Sequence, residues 1–126
     1  MTPEVGQAIE EIRAGFPQAE VQVTEEADGG AVVFVSPVDP GPPYTQGETW
    51  IGFRITFQYP YADVYPHFVR GDLARTDGAV LGEGMSVTTF AERSAVQISR
   101  ASRRLNPVTD TALIKLQKVL TWLRSR

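Results

Sequence analysis

The sequence contains no cysteine and only one histidine, His67. The absence of cysteine excludes disulfide bonds, zinc or iron–sulfur sites with thiolate ligands, and catalysis by a cysteine nucleophile. A single histidine also leaves too few nitrogen ligands to favour a metal site. The segment Gly82-Glu83-Gly84 is too short, and lacks the strand–turn–helix context, for a phosphate-binding loop. We therefore expect no metal ion and no cofactor.

Long apolar runs are also missing. No segment approaches the ~18 apolar residues that a membrane-spanning helix needs, and the segment from Met1 to Glu4 lacks the basic start and apolar core of a signal peptide. We expect a cytoplasmic protein that makes no membrane contact. The 126 residues are 42% hydrophobic and 21% charged, which suits one globular domain over residues 1–126.

Charge is distributed unevenly along the chain. Residues 1–30 hold seven acidic side chains and one basic side chain, whereas residues 91–126 hold eight basic and two acidic ones. The net charge is −3, and the arginines of the basic region are not interleaved with aromatic residues. This pattern favours protein contacts or a solvated basic surface over nucleic-acid binding.

Amphipathic helices are predicted at both ends of the chain. Thr2 is suited to cap a first helix that starts at Pro3 and stops before Pro17, with apolar residues at helical spacing between them. Asn106 and Pro107 are residue types typical of a cap and a first helical position. The apolar stripe that follows them predicts the last helix.

Between the helices the sequence changes to the alternation typical of strands. Residues 36–48 are rich in proline and predict an exposed connection, residues 71–84 suit an irregular loop, and residues 85–90 are compatible with either loop or strand. The predicted fold is α+β, with an N-terminal helix, a four-stranded antiparallel meander, an irregular loop and a C-terminal helix. The predicted strands are residues 21–23 and 31–35, which form a hairpin, then Trp50–Gln58 and His67–Val69.

The third predicted strand runs into a corner of aromatic and proline residues. The segment from Phe53 to Pro60, followed by Pro66 and then by the fourth strand, resembles the Tyr-Pro…Pro turn of the ubiquitin-conjugating-enzyme (UBC) fold. RWD domains, which are related to that fold, are the second choice for the family that the segment resembles. Three further pairs extend the resemblance to bacterial conjugating-enzyme-like proteins encoded beside ubiquitin-like proteins and activating enzymes: Ser99-Arg100, Asn106-Pro107 and Asp110-Thr111.

The chain departs from this family in its catalytic residues. No His-Pro-Asn motif follows the fourth strand, and no cysteine is present, so thioester chemistry is excluded. The resemblance places the lost nucleophile near residues 83–89, where Ser86, Thr88 and Thr89 are candidate carriers of an oxyester, with His67 as the candidate base. The alternative is that the hydroxyls are ordinary residues of a polar segment and that His67 is a buried imidazole. Replacement of a natural cysteine by Ser or Ala in this loop would give the same pattern.

A second group of residues predicts contacts with a partner. Exposed aromatic residues are frequent anchors at interfaces, and arginines bind carboxylates. The alternatives are that the tyrosines pack the corner against the sheet and that the arginines form a solvated edge. The candidate partner-binding residues are Tyr59, Tyr61, Tyr65, Arg100, Arg103 and Arg104.

The resemblance implies a UBC-like component of a bacterial ubiquitin-like protein conjugation pathway. Its expected partners are an activating enzyme and a ubiquitin-like protein, and it is either an oxyester-carrying transferase or a non-catalytic scaffold. The competing interpretation is an RWD-like or other α+β interaction domain with no relation to ubiquitin-like proteins. We expect no nucleic-acid partner under either interpretation.

Overall fold

The computed structural model describes all residues from 1 to 126. Two helices flank six strands, and Thr2 caps the first helix, as predicted, by accepting a hydrogen bond from the Val5 amide at 3.1 Å. Neither helix is long and apolar enough to cross a membrane. The elements are α1 (Pro3–Gly15), β1 (Glu20–Glu25), β2 (Ala31–Val38), β3 (Thr49–Ile55), β4 (His67–Arg70), β5 (Met85–Phe90), β6 (Arg93–Ile98) and α2 (Ala112–Arg124).

The strands form one antiparallel sheet in the order β1-β2-β3-β4-β6-β5. The predicted four-stranded meander is therefore wrong, because β5 and β6 add a hairpin beyond β4. The hairpin turns at Ala91 and Glu92, whose φ angles are 47° and 66°. Two-residue turns with positive φ usually contain Asn or Gly, and neither stands here, so the usual sequence signal for a hairpin is missing.

Both helices cover one face of the sheet and enclose the main core. Inward-facing residues of the sheet meet the apolar stripes of α1 and α2, because successive strand residues point to opposite faces. The fully buried members with the largest side chains are Ile12, Ile51, Phe53, Ile55, Ile98, Leu116, Leu120 and Leu123.

The opposite face of the sheet has no helix and carries a small aromatic layer. Phe68 stacks on Phe90 with ring centroids 4.1 Å apart, and Phe34 meets Trp50 edge-on at 5.3 Å. The guanidinium of Arg93 lies 3.8 Å from the centroid of the Phe34 ring. This cation–π contact covers part of the aromatic surface that would otherwise face water.

Three predicted boundaries are also wrong. β3 ends at Ile55 and not at Gln58. The start of the proline-rich connection, through Val38, belongs to β2, where the register with β3 shifts after Val35. The last helix begins at Ala112 and is capped by Thr111, so Asn106 and Pro107 do not start it.

Residues 106–110 do not form the first turn of α2, because their hydrogen bonds are made with one another. The Asn106 side chain accepts the Val108 amide at 2.9 Å, and the Asp110 carboxylate accepts the Asn106 amide at 2.7 Å. These short-range bonds complete a separate turn. The Thr111 hydroxyl then accepts the Ile114 amide at 3.2 Å and starts the helix anew.

Candidate partner-binding cleft

The aromatic-proline corner, residues 59–66, is fixed to the start of α2 by Tyr59. This tyrosine is only 9% exposed, and its hydroxyl accepts the backbone N–H of Ala112 at 3.0 Å. That N–H belongs to the first turn of α2, where no carbonyl within the helix can accept it. Burial raises the pKa of the Tyr59 phenol above its ordinary value, although the Ala112 hydrogen bond opposes the rise. Tyr59 therefore sets the position of the corner relative to the helix.

A second connection between the corner and α2 is an ion pair. The Lys115 ammonium donates to both carboxylate oxygens of Asp63, at 2.9 and 3.0 Å, and to the Ser102 hydroxyl at 2.7 Å. Asp63 also accepts the amide and the hydroxyl of Ser102, at 2.6 and 2.9 Å. These three residues tie together the corner, the loop that follows β6, and α2.

The electrostatics of this cluster keep the carboxylate ionised. Burial by itself would raise the pKa of Asp63, but the hydrogen bonds from Ser102 and Lys115 outweigh it and hold the pKa below its usual value. With its pKa lowered, Asp63 is a weaker base than an ordinary carboxylate. The arrangement is therefore suited to holding three segments in place and not to removing a proton from a substrate.

Beside this cluster a cleft of about 210 Å³ opens between the corner, the loop and the outer side of α2. Its lining combines apolar side chains with cationic ones, and the two acids present, Asp63 and Asp110, both have basic partners. The cleft therefore presents apolar surface and net positive charge. The lining includes Val64, Arg100, Arg103, Ile114, Lys118 and Trp122.

The predicted partner-binding arginines lie at or near this cleft. Arg100 and Arg103 line it, whereas Arg104 is exposed just beyond, with a φ of 53°. None of the three forms an ion pair within the chain, and the Arg100 guanidinium lies 5.0 Å from the centre of a Trp122 ring. These cations are free to bind an anionic partner.

The predicted aromatic residues separate into two groups. Tyr61 and Tyr65 are 79% and 44% exposed, so they are available for contact, although neither lines the cleft itself. Tyr59 is buried and its hydroxyl is used within the chain, which matches the alternative in which it packs the corner.

The predicted hydroxyls and the predicted base are not brought together. Ser86, Thr88 and Thr89 lie on β5, and the first two point to the face without helices. His67 lies on β4 with its ring on the helix-covered face, 5.1 Å from the Phe53 ring, and neither ring nitrogen has a hydrogen-bond partner in the chain. Burial lowers the pKa of His67 to about 3, with a further contribution from the charge of Lys115. Thr89 shares the face of His67 but pairs with Ser94, four residues along β6 from Ile98, which is the residue that pairs with His67. None of the three hydroxyls therefore has the imidazole beside it.

Sequence reasoning missed the Asp63, Ser102 and Lys115 cluster. One signal was present, because Lys115 interrupts the apolar stripe of the last helix, one turn after Ala112 and one turn before Val119. A charged residue at such a position needs a buried partner.

A scan against protein-family models, a search of curated proteins and a search of solved structures each find no match to this chain.

Proposed function

We propose that the protein is a non-catalytic, UBC-like component of a bacterial ubiquitin-like protein conjugation pathway, which acts in the cytoplasm by binding the activating enzyme, the ubiquitin-like protein, or both. The kinship rests on the sequence resemblance of the corner and of the segment before α2. The observation that supports binding is the cleft, where unpaired Arg100 and Arg103 lie beside apolar surface, and exposed Tyr61 belongs to the corner that lines one side of it. Arginine and tyrosine in this setting are typical of interface anchors.

A scaffold is favoured over an oxyester carrier because of the surroundings of the candidate hydroxyls. A serine or threonine needs an adjacent base to act as a nucleophile. His67 is fully buried on the other side of the sheet from Ser86 and Thr88, and its pKa of about 3 leaves it neutral at physiological pH but without access to them. Without a base, transfer of an acyl group to these hydroxyls would be slow.

Binding is tested by pull-down with the activating enzyme and the ubiquitin-like protein encoded beside the gene. We expect capture of at least one of them by the wild-type protein and its loss when Arg100→Glu and Arg103→Glu are combined. Arg54→Glu is the matched control, since Arg54 is a half-exposed arginine that lies on the face without helices. Failure to capture either protein would favour the competing interpretation, an interaction domain unrelated to ubiquitin-like proteins.

Catalysis is tested by incubation with the activating enzyme, ATP and the ubiquitin-like protein. The proposed scaffold forms no covalent adduct. An adduct that resists thiol reductant, yields to hydroxylamine and disappears in Ser86→Ala, Thr88→Ala or Thr89→Ala would overturn the non-catalytic assignment and establish the oxyester carrier.

A further inference from the structure

Strand β5 is one of the two edges of the sheet, and its sequence leaves that edge unprotected. It is six residues long, contains no charged residue and no proline, and its central residue Val87 is 75% exposed. Edge strands are usually guarded by charge, proline or a covering segment, because their free backbone groups accept another strand.

The hydrogen-bond phase of the hairpin identifies which backbone groups are free. The Ser99 amide donates to the Gly84 carbonyl at 2.8 Å, so in this antiparallel ladder every second residue of β5 bonds to β6. Val87 and Thr89 belong to the other set, whose N–H and C=O groups point away from β6. The Met85 amide also points away from β6, and it donates to the Gly82 carbonyl at 3.3 Å. The amides and carbonyls of Val87 and Thr89 have no partner elsewhere in the chain.

The other edge, β1, is protected. It begins and ends with glutamate, at Glu20 and Glu25. The guanidinium of Arg13, from α1, also donates to the Val21 carbonyl at 3.0 Å, so one of its edge acceptors is occupied. The two edges therefore differ in charge and in backbone availability, and only β5 combines an uncharged sequence with open hydrogen-bonding groups.

The start of β5 adjoins two cations, one in the loop that follows β6 and one just after α2. The Trp122 ring packs so close to Gly84 that a Cβ there would lie 3.4 Å from it. Two guanidinium groups lie over this indole, those of Arg100 and Arg126, at 5.0 and 4.7 Å from the ring centroid. Neither arginine forms an ion pair in the chain. An added strand that carried acidic residues at this end would meet opposite charge.

We propose that β5 is a strand-addition site, which binds an extended segment of a partner protein antiparallel to itself, with apolar or β-branched residues beside Val87 and acidic residues at the carboxyl end, near Arg100 and Arg126. An antiparallel strand places its carboxyl end at the start of β5, and backbone bonds supply the affinity in this mode of recognition. The inference rests on the proposed function in one respect, which is that the bound strand comes from a partner protein. The geometry of the β5 edge does not depend on the conjugation pathway.

The test uses the full chain and a fluorescein-labelled synthetic peptide of alternating valine and threonine that ends in a pair of glutamates, titrated to millimolar concentration. Amide hydrogen exchange followed by NMR reports the contact residue by residue. We expect binding to protect the amides of Val87 and Thr89, which are free in the protein alone, while those of Ser86 and Thr88 stay unchanged. The same peptide with its glutamates moved to the amino end should bind more weakly.

Val87→Pro removes the outward N–H without breaking a bond to β6, so the variant should fold and bind the peptide about tenfold more weakly, the equivalent of one lost hydrogen bond. Val80→Pro is the matched control, since Val80 is 88% exposed and lies in the loop before β5. We expect it to bind normally.

Absence of binding, or binding that leaves the exchange of Val87 and Thr89 unchanged, would overturn strand addition. If the protein alone forms a dimer in which these amides are protected, the strand that binds β5 is a second copy of the chain, and the proposed partner segment is wrong. Val87→Pro protein that binds the peptide as tightly as the wild type would overturn the strand site, while its capture of the activating enzyme or the ubiquitin-like protein would leave the proposed function intact. Failure of the wild-type protein to capture either protein, with peptide binding to β5 retained, would overturn the proposed function and leave the strand site intact.

Discussion

The Lys115 ammonium lies 2.9 Å from a carboxylate oxygen of Asp63, and this pair joins the last helix to the corner that follows the third strand. The lysine side chain is 8% exposed and that of the aspartate 20%, so water screens the pair much less than a surface ion pair. Ser102 completes the set by bonding both partners.

Removing one partner of this pair should destabilise the protein strongly. Lys115→Met leaves the Asp63 carboxylate without its cation, and we expect a loss of roughly 2–4 kcal/mol in the free energy of unfolding by urea denaturation. Lys118→Met is the control, because Lys118 is 69% exposed and 4.0 Å from Asp110, and should change stability by less than ~0.5 kcal/mol. If Lys115→Met and the control lose the same amount, the pair is not a structural clamp.

Tyr59→Phe should destabilise the protein by about 1–2 kcal/mol. The change keeps the buried ring but removes the acceptor for the Ala112 N–H, which is left unpaired at a buried helix start. Tyr61→Phe removes the same atom from an exposed side chain with no such bond and should leave stability unchanged. Thermal and chemical denaturation of the two variants would show this difference, and equal stabilities would contradict the assigned hydrogen bond.

His67 should make stability depend on pH in the mildly acidic range. The folded pKa of His67 is about 3, below the ordinary 6.5, so the unfolded chain binds its proton first as pH falls. The stability associated with the neutral ring is present above pH 6.5 and is lost as pH drops towards 3, by at most ~1.4 kcal/mol per pH unit. The charges that act on the ring are those of Lys115 and Asp63.

The measurement is urea denaturation between pH 5 and 6.5 for wild type and His67→Leu. The leucine variant should show a much flatter dependence there, since the contribution of Asp63, whose folded pKa is lowered, is lost only at lower pH. Ile98→Val removes a methyl group from the paired strand and should keep the wild-type slope. A slope that persists in His67→Leu would assign the pH dependence to other groups.

Replacing Ala91-Glu92 by Asn-Gly should stabilise the β5–β6 hairpin. Both residues have positive φ, which costs an ordinary residue roughly 1 kcal/mol each and costs Gly or Asn much less. We expect a gain of about 1–2 kcal/mol in the free energy of unfolding. Ala101→Gly is the control, because Ala101 has no positive φ and the change should not stabilise. A destabilised Asn-Gly variant would contradict the turn.

The sequence was informative where structure depends on neighbours in the chain. The cap at Thr2 and the alternation from Trp50 to Ile55 each arise from contacts within a few residues, so spacing predicts them. The start of α2 was predicted too early, because the turn at Asn106 satisfies the same local rules as a helix start without leading to one. Local signals of equal strength therefore gave one correct boundary and one wrong one.

The candidate site depends on contacts that no local pattern contains. Asp63 and Lys115 are 52 residues apart in the chain, and Ser102 lies 39 residues from Asp63. The arginines and tyrosines of this region are candidates by residue type alone, but the burial of Tyr59 and the exposure of Tyr61 follow from how the corner packs on α2.

By itself the sequence determined the absence of thiol chemistry, both terminal helices and the corner of aromatic and proline residues, since these depend on composition and on short-range spacing. Only the tertiary structure decided that the sheet has six strands, that His67 and the β5 hydroxyls are kept apart, and that a basic cleft forms beside α2. The reason is that strand register and side-chain burial are set by long-range packing, which brings together residues that have no regular spacing in the chain.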